Sequence, residues 1–346
     1  MQATVYPWNE PLWQTLTADS ERSSHALLFT GGAGLGKRAL ALALAEHVLL
    51  QGSAQSKALF NAGSHPDFHV LMPEAEVEAE SANEGDKVAP FARRYLEPHS
   101  GKARKTLTID QVRALGGKLT THPHISKTRV VLMYQADSMN RNAANALLKN
   151  LEEPPANTLF ILVSDHLAAL PKTIRSRCNL IDFRAPDQST ATQWLLGQKI
   201  MPEHEVDTHL AIANNHPLLA MQLYQSNYID TLKTVFTGVN GLWSHRQDAV
   251  SVAKSWQGVG GRQAVDILQK LTADLLRHQL SAEPNNVFFP VQQSWVQSSS
   301  GKISQQKLLA TVDELNEARR LLTTTVDELL VLESLSIKFS ELPITQ

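Results

Sequence analysis

Arg129-Val130-Val131-Leu132-Met133-Tyr134, the segment Asn140 to Glu153, Leu159-Phe160-Ile161-Leu162-Val163 and the triplet Ser176-Arg177-Cys178 form the stretch that decides the fold. Its first run is apolar without interruption, which marks a strand buried on both faces. Residues 140–153 read as a helix, stopped where Pro154-Pro155 removes backbone donors and clashes with the preceding turn. The second apolar run ends at Ser164. Strands alternating with helices imply a parallel sheet covered on both faces. Ligands collect beyond the carboxyl ends of such strands. Tyr134 to Asp137 and Ser164 therefore fall at a candidate site, and a glycine loop upstream would join them.

That loop follows the apolar run Ala26 to Thr30 and reads Gly31-Gly32-Ala33-Gly34-Leu35-Gly36-Lys37-Arg38, leading into an alanine- and leucine-rich helix that reaches Leu50. Glycines let the backbone aim amides at an anion, and the helix start adds a favourable dipole. Counted from Gly31, the phosphate-loop pattern G-x-x-x-x-G-K-[ST] fails only at its last position, where Arg38 replaces the hydroxyl that would hold Mg²⁺. Lys37 and the amides could hold phosphate weakly, with Arg38 able to occupy that space itself. A glycine turn without a ligand satisfies the same pattern.

Residues 67–72 read as another strand. From Glu74 to Asp86 the chain carries Glu74, Glu76, Glu78, Glu80, Glu84 and Asp86 with no basic residue; from Lys87 to Lys105 it carries Lys87, Arg93, Arg94, Lys102, Arg104 and Lys105 against Glu97. So polar a composition predicts a solvated, mobile insertion over 74–105, with an interaction or nucleic-acid arm as the alternative. Thr108 and Gln111 form a capping box that opens the next helix, with Val112, Leu115 and Leu119 on one face. His65, His69, His122 and His124 lack the cysteine or carboxylate partners of a metal site and read as exposed loop residues.

The whole chain sets further bounds. Its 346 residues predict two or three domains. A net charge of −2 argues against coating nucleic acid unaided, since such binding rests on neutralising phosphates. Cys178 is the single cysteine, which excludes an internal disulfide and a cysteine-rich zinc site and suits a small buried hydrophobe. No apolar run spans a bilayer and the first residues carry no secretory signal, so the expectation is a cytoplasmic protein.

Asn145-Ala146-Leu147-Leu148-Lys149-Asn150-Leu151-Glu152-Glu153-Pro154-Pro155, with Ser176-Arg177-Cys178 after it, resembles the clamp-loader branch of the AAA+ family. Ile109-Asp110-Gln111-Val112-Arg113, Pro7-Trp8 and His25-Ala26-Leu27-Leu28 narrow the resemblance to one subunit class of the bacterial DNA polymerase III clamp loader. It is strong over the first 185 or so residues and architectural beyond. The family's Mg²⁺-binding acids fall at Tyr134 and Gln135, neither of them acidic, and its lid arginine falls near Leu218. Phosphoryl transfer needs that metal held by the loop hydroxyl and the strand aspartate. The resemblance therefore implies vestigial nucleotide positions at Gly31, Gly36, Lys37 and Arg38 and no hydrolysis by the isolated chain. It implies a role in trans for Arg177, within the motif Ser176-Arg177-Cys178, on ATP held by a neighbouring subunit, with Arg175 as understudy or structural neighbour. The implied partners are the gamma or tau ATPase subunits and delta, with the sliding clamp and primer-template DNA reached through the assembled complex. Family members with four zinc-binding cysteines differ from this chain, whose residues 47–66 have none, so no metal or other cofactor is expected of it. An active P-loop ATPase, and a nucleic-acid-binding module acting through the basic half of the insertion, are the rival readings.

After Phe183 the pattern is helical. Residues 186–196, 203–213 and 217–224 predict a small lid, and helices over 262–280, from Ser304, and from Val326 to about Phe339 predict a collar. The Ser304 helix carries the stripe Leu308, Val312, Leu315 and Leu322; Thr325 with Glu328 would cap the last helix. The expected division is an α/β AAA+ core over 1–185, a helical lid over 186–225 and a helical collar over 226–346.

Overall fold

The computed structural model describes residues 4–18, 24–50, 54–81, 88–97, 101–281, 287–322, 324 and 326–343. The chain divides into two compact units, Met1–Thr190 and Ala191–Gln346.

The first unit is built on five parallel strands: β1 (Ala26–Thr30), β2 (Phe68–Leu71), β3 (Arg129–Met133), β4 (Thr158–Val163) and β5 (Asn179–Asp182), in the spatial order β2-β3-β4-β1-β5. Every residue of β1 through β4 is buried. Continuous apolar runs have this meaning in a sheet covered on both sides. Each face has its own apolar core. One joins Phe29, Leu132 and Ile161 to the Lys37–Leu49 helix; the other joins Leu28, Val131 and Phe160 to the helices Ile109–Lys118 and Arg141–Glu152. The capping box is present, with Thr108 accepting from the Gln111 amide and Gln111 returning to the Thr108 amide. Asn140 caps the 141–152 helix by accepting from Ala143 N at 2.9 Å.

Strand β5 was not expected. Its residues are mostly exposed, and only backbone pairing with β1 (Leu27 opposite Asn179, Thr30 opposite Asp182) makes it a strand. An edge strand facing water lacks the apolar run that reveals the central ones.

The solvated insertion is corrected over part of its length, while Lys102, Arg104 and Lys105 are exposed as expected. Glu74–Ser81 and Ala89–Arg93 are helices, and Val88, Ala89, Phe91, Ala92 and Tyr95 are buried. Phe91 meets Phe68 with centroids 4.7 Å apart and Phe60 at 5.8 Å. The run Val88-Ala89-Pro90-Phe91-Ala92 is core sequence that a count of surrounding charges conceals. Residues 82–87 and 98–100 lie outside the described residues.

Two of the four histidines are also corrected. His122 and His124 are exposed, but His65 and His69 are buried at 0% and 5% exposure. His65 Nε2 lies 2.6 Å from Ser56 Oγ, and its Nδ1 accepts from Asp67 N. His69 Nδ1 shares a hydrogen bond with Tyr95 Oη at 2.5 Å. Burial, then the nearby positive charges of Arg129, Arg94 and Lys118 against the single opposing Asp67, pulls His69 from 6.5 down to about 4. A histidine depressed in the folded state contributes stability above its unfolded pKa and loses it as pH falls towards the folded one. Folding stability should therefore fall by about 2 kcal/mol between pH 7 and pH 5 through this group alone. Urea midpoints at the two pH values check it: the pH dependence of His69→Gln should be shallower by that amount, and an identical slope would refute the assignment.

In the second unit Gln188–Gln198 (which begins just before the division), Glu203–Ile212 and Pro217–Gln225 surround one small core of Ala191, Leu195, Val206, Leu210 and Ala220. A larger core gathers Tyr228–Trp243, Ala249–Gly258, Gly261–Leu280, Gln293–Ser300, Gln305–Leu321 and Glu328–Ser340 around Trp256, Leu268, Leu271, Leu332 and Phe339. Leu308 and Leu315 are buried as the stripe predicts, whereas Val312 and Leu322 are half-buried. The last helix starts later than expected: Asp327 caps it, accepting from Leu329 N at 2.8 Å, and Thr325 lies outside the described residues. No helix among the described residues is long and apolar enough to cross a membrane.

Candidate functional site

The loops after β1, β3 and β4, which are adjacent in the sheet, meet as the strand pattern predicts. Gly31 turns with φ at 133°, and a Cβ there would lie 2.4 Å from the Phe183 carbonyl oxygen. Gly36, with φ at 83°, precedes the Lys37–Leu49 helix, and a Cβ would strike the Tyr6 ring at 2.5 Å. The amino-terminal segment thus lies on the loop: Trp8 Nε1 and Asn9 Nδ2 both donate to the Leu35 carbonyl, at 3.0 and 2.9 Å.

Lys37 is 3% exposed and turned into its own loop. Its Nζ donates to the Gly31 carbonyl at 2.8 Å and the Gly32 carbonyl at 2.5 Å, and pairs with Asp165 Oδ1 at 2.6 Å. An ammonium has three protons, so these oxygens occupy all of them. Asp165, at the end of β4, was not singled out in the sequence; its place next to Ser164, at the carboxyl end of a buried strand, was the available signal.

Arg38 does not fill the phosphate space. Its Nη2 donates to Glu76 Oε2 at 2.8 Å, its Nη1 lies 3.6 Å from Glu80, and its guanidinium covers the Tyr134 ring at 5.2 Å. Burial works against its charge, but Glu76, Tyr134 and Glu80 together raise its pKa above the ordinary arginine value. Glu76 and Glu80 lie four apart on one helix face, the spacing that brings two side chains to one partner. Tyr134 is fully buried and donates to the Arg38 carbonyl at 3.2 Å, while Gln135 takes a left-handed conformation with φ at 49°.

These groups do not fit a Mg²⁺-nucleotide. No hydroxyl stands at position 38, no carboxylate at 134 or 135, and the lysine already has its full set of acceptors. Among the described residues no group of three or more His, Cys, Asp or Glu could hold a metal ion.

The Ser176-Arg177-Cys178 triplet follows the short helix Lys172–Arg175, which packs near Arg141–Glu152. Cys178 is buried among Leu170 and Ile174, and burial pushes its thiol up to about 11, which leaves it inert at neutral pH. Ser176 is exposed and donates to the Thr173 carbonyl. Arg177 is 35% exposed, donates from Nη1 to the Thr173 carbonyl at 3.0 Å, and pairs through Nη2 with Glu152 Oε1 at 2.5 Å. None of its described contacts is with the glycine loop. Arg175 is half-buried, with its Nε lacking a partner among the described residues.

Residues 9–187 match the family described as DNA polymerase III, delta subunit, and residues 227–341 match DNA polymerase III, delta subunit, C terminal. The chain is 31% identical to the DNA polymerase III subunit delta' of Pseudomonas aeruginosa over 352 aligned residues, covering 99% of each protein. It belongs to the DNA polymerase III delta' family. A second relative, subunit delta' of Haemophilus influenzae, is 29% identical over 81% of this chain and 79% of that protein. A gamma subunit-related protein of DNA polymerase III from Thermotoga maritima covers 96% of this chain and 98% of its own at 18% identity, with a TM-score of 0.44, too loose a likeness to add to the argument. Family membership puts the chain in DNA replication, and its structure is a five-stranded parallel core followed by helices.

Proposed function

We propose that this chain is a non-hydrolysing, stator-like subunit of the DNA polymerase III clamp loader, which helps place the sliding clamp on primed DNA. In this reading its partners are the gamma or tau ATPase subunits and delta, and it works in the cytoplasm with a core, lid and collar over 1–185, 186–225 and 226–346. The observation that carries the non-hydrolysing role is Lys37, whose ammonium is neutralised within its own loop and by Asp165. Arg38, paired with Glu76, and Tyr134, uncharged and buried where an acid would be needed, support it. Arg177 at the surface supports a role in trans as an arginine finger on ATP held by the next subunit.

The test mixes the purified chain with the ATPase subunits and delta. A stable complex should co-elute in size exclusion, and the isolated chain should show no ATPase that Lys37→Ala removes. Hydrolysis by the isolated chain that depends on Lys37 would restore the active-ATPase reading. The buried residues of the insertion, Val88, Ala89, Phe91 and Ala92, serve an apolar core of the first unit, while Arg93 and Arg94 stay exposed.

A further inference from the structure

Glu152 is the last residue of the Arg141–Glu152 helix, and Pro154-Pro155 prevent that helix from running on. It therefore stands at a fixed point, at the carbonyl end of a helix, where the dipole adds to its negative charge. Arg177 comes from a different element, the turn after Lys172–Arg175. The Thr173 carbonyl and the Ser176 hydroxyl, which lie 3.0 and 3.4 Å from Arg177 Nη1, belong to that short helix and the turn that follows it and travel with the arginine. Glu152 does not. Among the described contacts, it alone ties the guanidinium to the 141–152 helix, through Nη2 at 2.5 Å.

For a guanidinium, a carboxylate oxygen and a phosphate oxygen are ligands of one class. A finger that reaches a neighbour's nucleotide must present N–H groups to phosphate, and one of its two terminal nitrogens is engaged by Glu152 in this chain. The carboxylate also repels an approaching polyphosphate. Both side chains are open to solvent, 35% and 47% exposed, so water and salt weaken their attraction. A contact of this kind yields to a highly charged competitor yet sets where the guanidinium rests without one.

We propose that Glu152 is a positioning residue for Arg177: it holds the guanidinium in a resting pose, and phosphate oxygens of a nucleoside triphosphate on the neighbouring subunit take its place on Nη2. The proposal rests on the trans reading of Arg177 given above. An exposed ion pair of this type is worth up to about fivefold in an equilibrium, the equivalent of about 1 kcal/mol.

The experiment compares wild type, Glu152→Gln, Arg177→Ala and the double variant in the reconstituted loader with clamp and primed DNA, following ATPase rate against ATP concentration. Glu152→Gln keeps the side chain's shape and removes its charge. The expected result is half-saturating ATP lowered by about two- to fivefold with kcat within twofold of wild type, and a double variant indistinguishable from Arg177→Ala, because Glu152 acts only through the arginine. A merely structural role would not produce that split. If Arg177→Ala is impaired while Glu152→Gln matches wild type, the proposal alone fails. A fall in kcat for Glu152→Gln that Glu152→Asp restores would also overturn it, since the carboxylate would then be serving the reacting pose. Unchanged turnover in Arg177→Ala would sink the trans reading and the proposal with it.

Discussion

On the proposed trans role, Arg177→Ala is expected to slow hydrolysis at the neighbouring subunit's ATP site by about 10³-fold or more, roughly 4 kcal/mol of transition-state stabilisation, while leaving the loader assembled. Charge develops on the transferred phosphoryl group, and a guanidinium brings a delocalised positive charge with several N–H donors in one plane. The chain keeps this residue at the surface although Arg38 offers no hydroxyl after the glycine loop and Tyr134 and Gln135 carry no acid after β3. Arg177→Lys should recover little, because an ammonium keeps the charge but loses the planar fork. Single-turnover hydrolysis in the DNA-bound complex measures the effect best, since other sites in the assembly dilute a steady-state rate. Turnover equal to wild type, in a complex that co-elutes normally, would remove the arginine from the mechanism.

Asp67→Ala is the second large effect, and it concerns folding. Asp67 is fully buried at the start of β2, and its carboxylate accepts from the amides of His124 at 2.6 Å, Ile125 at 2.7 Å and Ser126 at 2.8 Å. Burial alone would raise its pKa, but the three amides hold it below the ordinary aspartate value. Its own backbone carbonyl accepts from Val130 N, so one residue joins β2, β3 and the turn that precedes β3. Removing a charged acceptor that serves three donors should cost about 3 to 5 kcal/mol, some of it recovered as the turn takes up water. Asp67→Asn should recover little, because one oxygen becomes a donor facing an N–H. Because the folded pKa is depressed, the stabilisation is present above the unfolded value and is lost as pH falls through the folded one. The gap between wild type and Asp67→Ala in urea midpoints should therefore be full at neutral pH and narrow through the carboxylate range. A gap below about 1 kcal/mol at neutral pH would show that the turn is held by other contacts.

The features readable in the linear chain were those set by near neighbours. Four buried strands, the Thr108–Gln111 capping box, the glycine loop and the end of the 141–152 helix all follow from periodicity or from residue chemistry at short, fixed spacing. The missing hydroxyl at Arg38 was legible from the loop pattern, and the absence of acids at Tyr134 and Gln135 from the family resemblance, since an absent functional group needs no fold to reveal it. Burial of His65 and His69 was not, because each histidine gains its neutral environment from side chains such as Ser56 and Tyr95 that only folding brings near. The 88–97 segment misled for a related reason: counting charges ignores which apolar residues stand between them and where a sheet will receive them.

By itself, then, the sequence determined that a parallel α/β core carries a glycine loop without catalytic acids and an arginine after its last central strand. Only the tertiary structure decided how those charges are used. Lys37 meets Asp165, Arg38 meets Glu76 and Glu80, and Arg177 meets Glu152. Each pair joins elements far apart in the chain, and Coulomb attraction falls with distance in space, which the sheet order sets and the order of residues along the chain does not.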